Sequence, residues 1–497
     1  MLRRAWKPAV AVSVPALALL YYKTRQETFD LPVRVRAPDG KPEMSIRTLP
    51  LLTAAAVDAR INEHATAHTV HRPGIVWKHT TATLAANDPL EDANAHQLIQ
   101  RDSSDPAAPG DLLFFTIMDG HGGHHTSQAS IHHNTGASAA VPAPADADPA
   151  RAAAAIQGAF TRLDAELLAA PVRILAAALD PKATAADIPD LSSHPLALPS
   201  MLPAISGSCA LMAVLDTAHR NLYVACTGDS RAVAGIWEPT PDGGRWRVDV
   251  LSEDQTGRNP AEAQRIRAEH PASEAQDVIR NGRILGGLEP ARAFGDARYK
   301  WSRALQDTLA RAFLAGTDRV MRAPSPAFKT PPYVTATPVV THRVLDVPAP
   351  GAGARRFIVL ATDGLWDELS SEDVVRLVGG HLAGLHGAVP KSALPELVPT
   401  APPPAAAAEG KGRRRGDSTD GAWAFVDATP SAHLIRNAFG GADGPALRRL
   451  LSIPAPLARR YRDDVSVTVV WWEGTDADAQ PAVTSVSLGE LRAKAKL

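Results

Sequence analysis

The stretch CALMAVLDTAHRNLYVACTGDSRAVAGIWEPTPDGGRWRVDVL, residues 209–251, decides the fold class. It holds β-type segments in close succession: Cys209 to Leu215, Asn221 to Cys226, Arg231 to Trp237 and Trp246 to Leu251. Turn residues such as Asp242-Gly243-Gly244 join them, and short strands so closely spaced predict an antiparallel sheet. Working outward, Leu112 to Met118 is an apolar strand that ends at Asp119-Gly120, and Phe357 to Thr362 is another that ends at Asp363-Gly364. A last strand, Val465 to Trp472, follows Asp463-Asp464 directly. Pro149 to Ala170 places Ile156, Phe160, Leu163, Leu167 and Leu168 at helical spacing, and Glu372 to Leu382 reads as a second helix. Strands followed by helices without strict alternation point to an α+β fold, a central antiparallel β-sandwich flanked by α-helices, rather than a doubly wound sheet.

The remaining text is less regular. Asp30 to Val76 reads as a lead-in strand and helix, and the Ala- and Pro-rich run from Ala170 to Pro203 as a surface insertion. Pro399 to Gly421 is low-complexity, read as a disordered loop with a solvated Lys-Arg cluster, and residues 476–497 form a tail. One catalytic domain, residues 30–475, is expected between the two ends.

Across all 497 residues, 52 Lys+Arg stand against 53 Asp+Glu, a formal charge of −1, and 45% of residues are apolar. That balance excludes a strongly basic nucleic-acid binder and an acidic disordered protein, and it supplies enough apolar side chains for a sizeable core. Two cysteines, Cys209 and Cys226, cannot build a disulfide framework and read as buried strand residues in a reducing compartment. Residues 1–29 carry Arg3, Arg4, Lys7, Lys23 and Arg25 with no acid before Glu27, the composition of an address rather than of a fold. Their apolar run, Pro8 to Tyr22, is interrupted by Pro15 and is shorter than the ~20 residues of a spanning helix. The basic flanks suit a mitochondrial presequence and the apolar middle suits a secretory signal; scarce cysteine favours the mitochondrion, with inner-membrane association through this segment as a further expectation.

Acidic residues recur at strand ends: Asp119, Asp229, Asp363 with Asp367, and Asp463, with Glu91 and Asp92 as a pair upstream. One Asp-Gly after a strand is an ordinary turn. Carboxylates converging from several strands repel one another unless cations sit among them, and all-oxygen ligands suit Mg²⁺ or Mn²⁺ rather than Zn²⁺. Two such ions ~3.5–4 Å apart serve phosphate ester hydrolysis, activating water and neutralising phosphoryl charge. His124, His125, His132 and His133 cluster locally but lack ordered ligand spacing and read as solvated. Arg231, Arg292 and Arg298 could meet phosphate or carboxylate, although a strand-end Arg is more often an ion-pair partner. Phe294, Trp301 and Trp366 read as core aromatics.

Six blocks then resemble, in order, the motifs of the metal-dependent protein phosphatase 2C family. They are FFTIMDGHGG (Phe114 to Gly123), SGSCAL (Ser206 to Leu211), YVACTGDSRAV (Tyr223 to Val233), GGLEPARAFGDARYKW (Gly286 to Trp301), LATDGLWD (Leu360 to Asp367) and YRDDVSVTVV (Tyr461 to Val470). The resemblance implies a serine/threonine protein phosphatase with two metals and, in parts of the family, a third. It implies that Asp119 bridges both ions with the Gly120 carbonyl on one, that Asp363 and Asp463 complete the other shell, and that Glu91 holds the second ion through water. Asp92 would order that water, Asp229 and Asp367 would serve the third ion, metal-held hydroxide would attack phosphorus in line, and His121 would be the general acid for the leaving serine oxygen.

Within the family, NDPLED (Asn87 to Asp92), RAFGDARYKW and SAHLIRNAFGG (Ser431 to Gly441) are similar to the mitochondrial pyruvate dehydrogenase phosphatase subgroup. Many members grip the substrate phosphate with an arginine four positions before the first Glu; Asn87 stands there, as the resemblance implies for this subgroup, and is the candidate substrate-binding residue. The expected partner is the pyruvate dehydrogenase complex, dephosphorylated on its decarboxylase subunit. The alternatives are another mitochondrial phosphoprotein or an inactive phosphoprotein-binding scaffold.

Overall fold

The computed structural model describes residues 27–37, 40–100, 110–137, 148–180, 187–241, 243–401, 420–476 and 482–486, with the backbone course alone for 100, 132–137 and 482–486. In chain order its strands are β1 (Thr28–Arg36), β2 (Pro42–Pro50), β3 (Thr66–Arg72), β4 (Ile75–Leu84), β5 (Ala93–Gln100), β6 (Asp111–His121), β7 (Gly207–Asp216), β8 (Asn221–Thr227), β9 (Arg231–Glu238), β10 (Arg245–Val250), β11 (Val339–Val344), β12 (Arg356–Ala361), β13 (Val465–Gly474) and β14 (Ala482–Val486). The helices that matter here are α1 (Ala54–Ile61), α2 (His125–Ala137), α3 (Pro149–Ala178), α4 (Ala197–Ile205), α5 (Ser371–Leu382) and α6 (Pro430–Ala438).

One sheet runs β10-β9-β12-β13-β4-β3-β14, with Thr400–Ala401 added in parallel outside β10. The other runs β11-β8-β7-β6-β5, with Phe294–Gly295 paired to β7. The pleat explains why these strands read as unbroken apolar runs. On β6, Leu113, Phe115 and Ile117 point into the gap between the sheets, together with Leu211, Ala213 and Leu215 of β7 and Ile358 and Leu360 of β12. The alternate residues of β6 and β7, Phe114, Met118, Ala210 and Met212, pack outward against Ile156, Phe160 and Leu163 of α3. Phe357 and Val359 of β12 and Val467 and Val469 of β13 pack outward against Val375 of α5 and Ile435 of α6. Both faces of both sheets are therefore covered, and each such side chain removed from water contributes ~1.5–3 kcal/mol. The layers are α-β-β-α, the architecture the sequence implied.

Several boundaries differ from the reading above. The lead-in region contains the β1–β2 hairpin, α1, β3 and β4, and β4 sits mid-sheet although its IVWKHTTATL is rich in threonine. Helix α3 continues past Ala170 to Ala178 with Pro171 buried inside it; a proline removes one helical N–H, which is why the sequence reads as a stop there. Much of the stretch taken as a surface insertion is thus packed, because Leu175, Ala197, Met201 and Ala204 join a core cluster with Phe313. Residues 28 and 29 of the candidate address segment open β1, and residues 482–486 of the tail pair with β3. Residues 1–26 and 402–419 lie outside the described residues. Among the described residues, no helix is long and apolar enough to cross a membrane.

Candidate active site

The acidic residues gather at one end of the sandwich, where strands of both sheets stop. Asp119 is near the end of β6, Asp229 in the turn between β8 and β9, and Asp363 just after β12. One carboxylate oxygen from each lies within 4.8 Å of the other two. The Asp363 N–H also donates to Asp119 Oδ2 at 3.3 Å. Small residues let these turns approach. A Cβ on Gly120 would fall 2.2 Å from the Glu91 carbonyl oxygen, and one on Gly364 would fall 2.3 Å from that of Asp464. Gly228 adopts φ +112, and a Cβ there would lie 2.3 Å from Cys209 Sγ. That thiol donates to Asp229 Oδ1 at 3.1 Å, and both Cys209 and Cys226 are buried and unpaired with each other.

Crowding of these carboxylates shows in their proton affinities. Burial, then Asp363, Asp92, Asp229 and Asp463, holds Asp119 well above the ordinary carboxylate range. Asp92, buried and accepting from Thr362 Oγ1 at 3.1 Å, is raised well above it by burial and by Asp464 and Asp463. Asp463 is pushed up to about 8 by burial and Asp363, with Arg459 at 2.8 Å opposing. Burial also raises Glu91, against a hydrogen bond from the Gly123 backbone. Like charges packed this closely out of water are frustrated without a counterion, so the oxygen-only donor set fits a hard divalent cation.

His121, the last residue of β6, places Nε2 2.7 Å from Asp296 Oδ2. Burial lowers its pKa, but Asp296, Asp229 and Glu91 outweigh burial and leave the imidazole raised above 6.5. Asp296 adopts φ 51 and donates its N–H to the Ser206 carbonyl, which fixes its side chain toward β7. Gly207 lies beside the pair, and a Cβ there would sit 2.1 Å from His121 Nε2 and 2.5 Å from Asp296 Oδ2.

The structure brings in two residues to which sequence reasoning gave no role. Asp296 lies inside a quoted block, but its contact with His121 joins residues 175 positions apart. Asp464 organises the loop between β4 and β5. Its Oδ1 accepts from the Ala86 and Asn87 N–H groups at 2.5 and 2.9 Å, and its Oδ2 from Asn87 Nδ2 and the Glu91 N–H at 2.9 and 3.0 Å. The Asn87 amide, the candidate substrate-binding group, is therefore engaged within the loop. Asp367 is exposed and outside the three-carboxylate group.

The arginines are structural partners. Arg231 is buried, forks onto Asp254 at 2.9 and 2.7 Å and lies over Trp366 at 5.0 Å. Arg292 forks onto Glu262 at 3.0 and 2.7 Å, and Arg298 donates to the Ala323 carbonyl at 3.0 Å. His124 and His125 are half-buried, with ring centroids 4.1 Å apart, rather than fully solvated; the side chains of His132 and His133 lie outside the described residues. Phe294, Trp301 and Trp366 are buried.

Known proteins resemble this chain over most of its length. The family described as Protein phosphatase 2C matches residues 85–401. A protein phosphatase 2C homolog of Schizosaccharomyces pombe is 33% identical over 490 residues, covering 93% of this chain and 95% of that protein. The mitochondrial [pyruvate dehydrogenase [acetyl-transferring]]-phosphatase 1 of Saccharomyces cerevisiae is 33% identical over 484 residues, 90% of this chain and 78% of its own length. The human protein of that name is 38% identical over 277 residues, 54% of this chain and 48% of its own.

Proposed function

We propose a substrate and a mechanism for this chain, which belongs to the protein phosphatase 2C family and is a serine/threonine protein phosphatase. The substrate is the phosphorylated decarboxylase subunit of mitochondrial pyruvate dehydrogenase. The names of the yeast and human relatives support it, as does the run NDPLED with Asn87 in place of the phosphate-gripping arginine. The same names and the basic leader without acids support a mitochondrial location; inner-membrane association would rest on that leader alone.

The observation that carries the chemistry is the group of Asp119, Asp229 and Asp363, with oxygens within 4.8 Å. These residues would hold Mg²⁺ or Mn²⁺, with Glu91, Asp463, the Gly120 carbonyl and Asp367 as further candidates. When bound, such ions lower the pKa of water and neutralise phosphoryl charge. The chain's own part is positioning and proton supply. Asp464 holds the Ala86–Glu91 loop by four N–H groups and thereby fixes Glu91. Asp92, whose proton affinity burial and then Asp464 and Asp463 raise, accepts a hydrogen bond from Thr362 and lines the site. His121, whose proton affinity Asp296 raises against the opposing effect of burial, would supply a proton to the departing serine oxygen.

The test is phosphate release from phosphorylated pyruvate dehydrogenase by the full chain with Mg²⁺, Mn²⁺ or chelator, beside Asp119→Asn and Asp463→Asn. Metal-dependent release that both substitutions abolish is expected. Release from a generic phosphoserine peptide alone would keep the mechanism and overturn the substrate. No release from any phosphoprotein would leave a phosphoprotein-binding scaffold.

A further inference from the structure

A second cluster of ligand-type side chains lies farther along the same strands. His68 on β3 and His79 on β4 are directly opposite cross-strand partners. His96 on β5 meets them from the other sheet, so the cluster spans the two layers of the sandwich. The rings of His68 and His79 stack with centroids 4.7 Å apart, and His96 lies 4.5 Å from each. One ring nitrogen from each residue falls within 4.8 Å of the others.

Packing alone does not account for this arrangement. His79 is only 4% exposed, yet neither its Nδ1 nor its Nε2 has a hydrogen-bond partner. Its nearest aromatic neighbour outside the trio is Phe115, edge-on at 4.9 Å. A phenyl or leucyl group would fill that place without leaving an unmatched donor and acceptor, which is costly in a dry interior. Buried polar atoms left over in a native fold call for a water, an ion or a role.

We propose that His68, His79 and His96 form a zinc site that clips the β3–β4 hairpin of one sheet to β5 of the other. Neutral imidazole nitrogens suit Zn²⁺, whereas Mg²⁺ and Mn²⁺ prefer oxygen, so the site is chemically separate from the carboxylate group. Burial depresses all three imidazoles, His79 to about 2 with His96 and His68 adding to it, which keeps their lone pairs available at neutral pH. Zn–N bonds of ~2.0–2.1 Å put ligand nitrogens ~3.3 Å apart, so all three rings would draw in from the spacing of up to 4.8 Å seen here. Three protein ligands leave a fourth position for water. His96 is four residues along β5 from Asp92, about 13 Å by strand rise, so zinc here would brace the strands that lead to the active site rather than enter it.

The experiment loads the full-length protein with zinc chloride, dialyses it against millimolar Mg²⁺ to fill the carboxylate group with its own kind of ion, and measures retained zinc per chain. Cobalt(II) in place of zinc reports tetrahedral nitrogen ligation by its visible spectrum. The variants are His96→Ala, at an exposed position where folding is not at stake, His79→Phe, which keeps the packing against Phe115, and Asp119→Asn. About one zinc per chain is expected in wild type and in Asp119→Asn, with at least a tenfold loss of retained zinc in both histidine variants and a zinc-dependent rise in melting temperature that His96→Ala lacks. The proposal is overturned if wild type retains no zinc, if His96→Ala retains as much as wild type, or if Asp119→Asn rather than the histidine variants loses the metal.

Discussion

Strands β4, β5 and β6 run past two clusters of opposite character. At their active-site ends they meet Glu91, Asp92 and Asp119, where burial and mutual repulsion raise the carboxyl pKa values. Farther back along β4 and β5 stand His79 and His96, where burial lowers the imidazoles. Burial acts the same way on both, penalising the charged form. The consequences differ because a neutral carboxyl group has surrendered the charge that binds a hard cation, whereas a neutral imidazole has exposed the lone pair that binds a softer one. The acidic end is therefore the frustrated end of the metal-free protein, and the histidine end is the ready one.

The largest effect expected comes from breaking the acidic end. Asp119→Asn should lower phosphatase activity ~10³-fold or more, since metal ions supply several kcal/mol of transition-state stabilisation. In chelator the same substitution should raise the melting temperature increasingly as pH rises, because an amide at position 119 cannot add a negative charge to the crowded buried group. A fall in the chelated protein's melting temperature would show that the carboxylates are not frustrated, and the contrast with the histidines would collapse.

Next in size is the proposed acid, His121. Gly207→Ala drives a Cβ into both His121 Nε2 and Asp296 Oδ2 and should reduce kcat by ~10²-fold, the lower range for a lost general acid, with binding of phosphopeptide retained. Asp296→Asn keeps the shape but removes the carboxylate that raises His121. Its rate should approach that of wild type at acidic pH and fall away as pH rises, the basic limb of the profile moving to lower pH. An unmoved basic limb would take the proton-donor role from His121.

The loop that joins the two regions should respond through stability. Whichever way an amide is turned at position 464, its NH₂ faces two N–H donors, from Ala86 and Asn87 or from Asn87 and Glu91. Asp464→Asn should therefore cost about 2 kcal/mol in denaturant unfolding and weaken metal affinity by misplacing Glu91. Unchanged stability would show that water replaces Asp464 easily and that the loop is not rigid.

The two ends differ in how openly the sequence announces them. Asp119, Asp229 and Asp363 stand at the junction of apolar runs and turns, so strand periodicity brings them to notice and their recurrence at strand ends sets them apart from ordinary turns. The sandwich itself is legible for a related reason: β7, β9 and β12 are apolar on both faces because helices cover the outer one. The threonine- and histidine-rich β3 and β4 lack that signature, and α3 hides its last turns behind Pro171. Asp464 and Asp296 act through backbone N–H groups and a histidine brought near only by folding. Likewise His68, His79 and His96 have no local spacing to join them; they become a set only when β3 pairs with β4 and the second sheet closes over both.

The most direct comparison of the ends is their proton linkage, which has opposite sign and, per pH unit, is the smallest of these effects. Asp463 has a folded pKa of about 8 against 3.8 when unfolded. Between those values the folded state binds the extra proton, so in metal-free protein this group makes stability fall as pH rises. His79 has a folded pKa of about 2 against 6.5 when unfolded. Below pH 6.5 the unfolded state binds the extra proton, so this group makes stability fall as pH drops. Each contributes a slope of about 1.4 kcal/mol per pH unit within its window. Urea unfolding in chelator from pH 5 to 8 should thus show the two slopes cancelling below pH 6.5 in wild type, His79→Phe uncovering there a fall in stability as pH rises, and Asp463→Asn uncovering there a fall as pH drops and losing the decline above pH 6.5, each by about that slope. If both variants changed the slope below pH 6.5 in the same direction, burial would not be treating the two clusters as mirror images, and the frustration assigned to the acidic end would need another source.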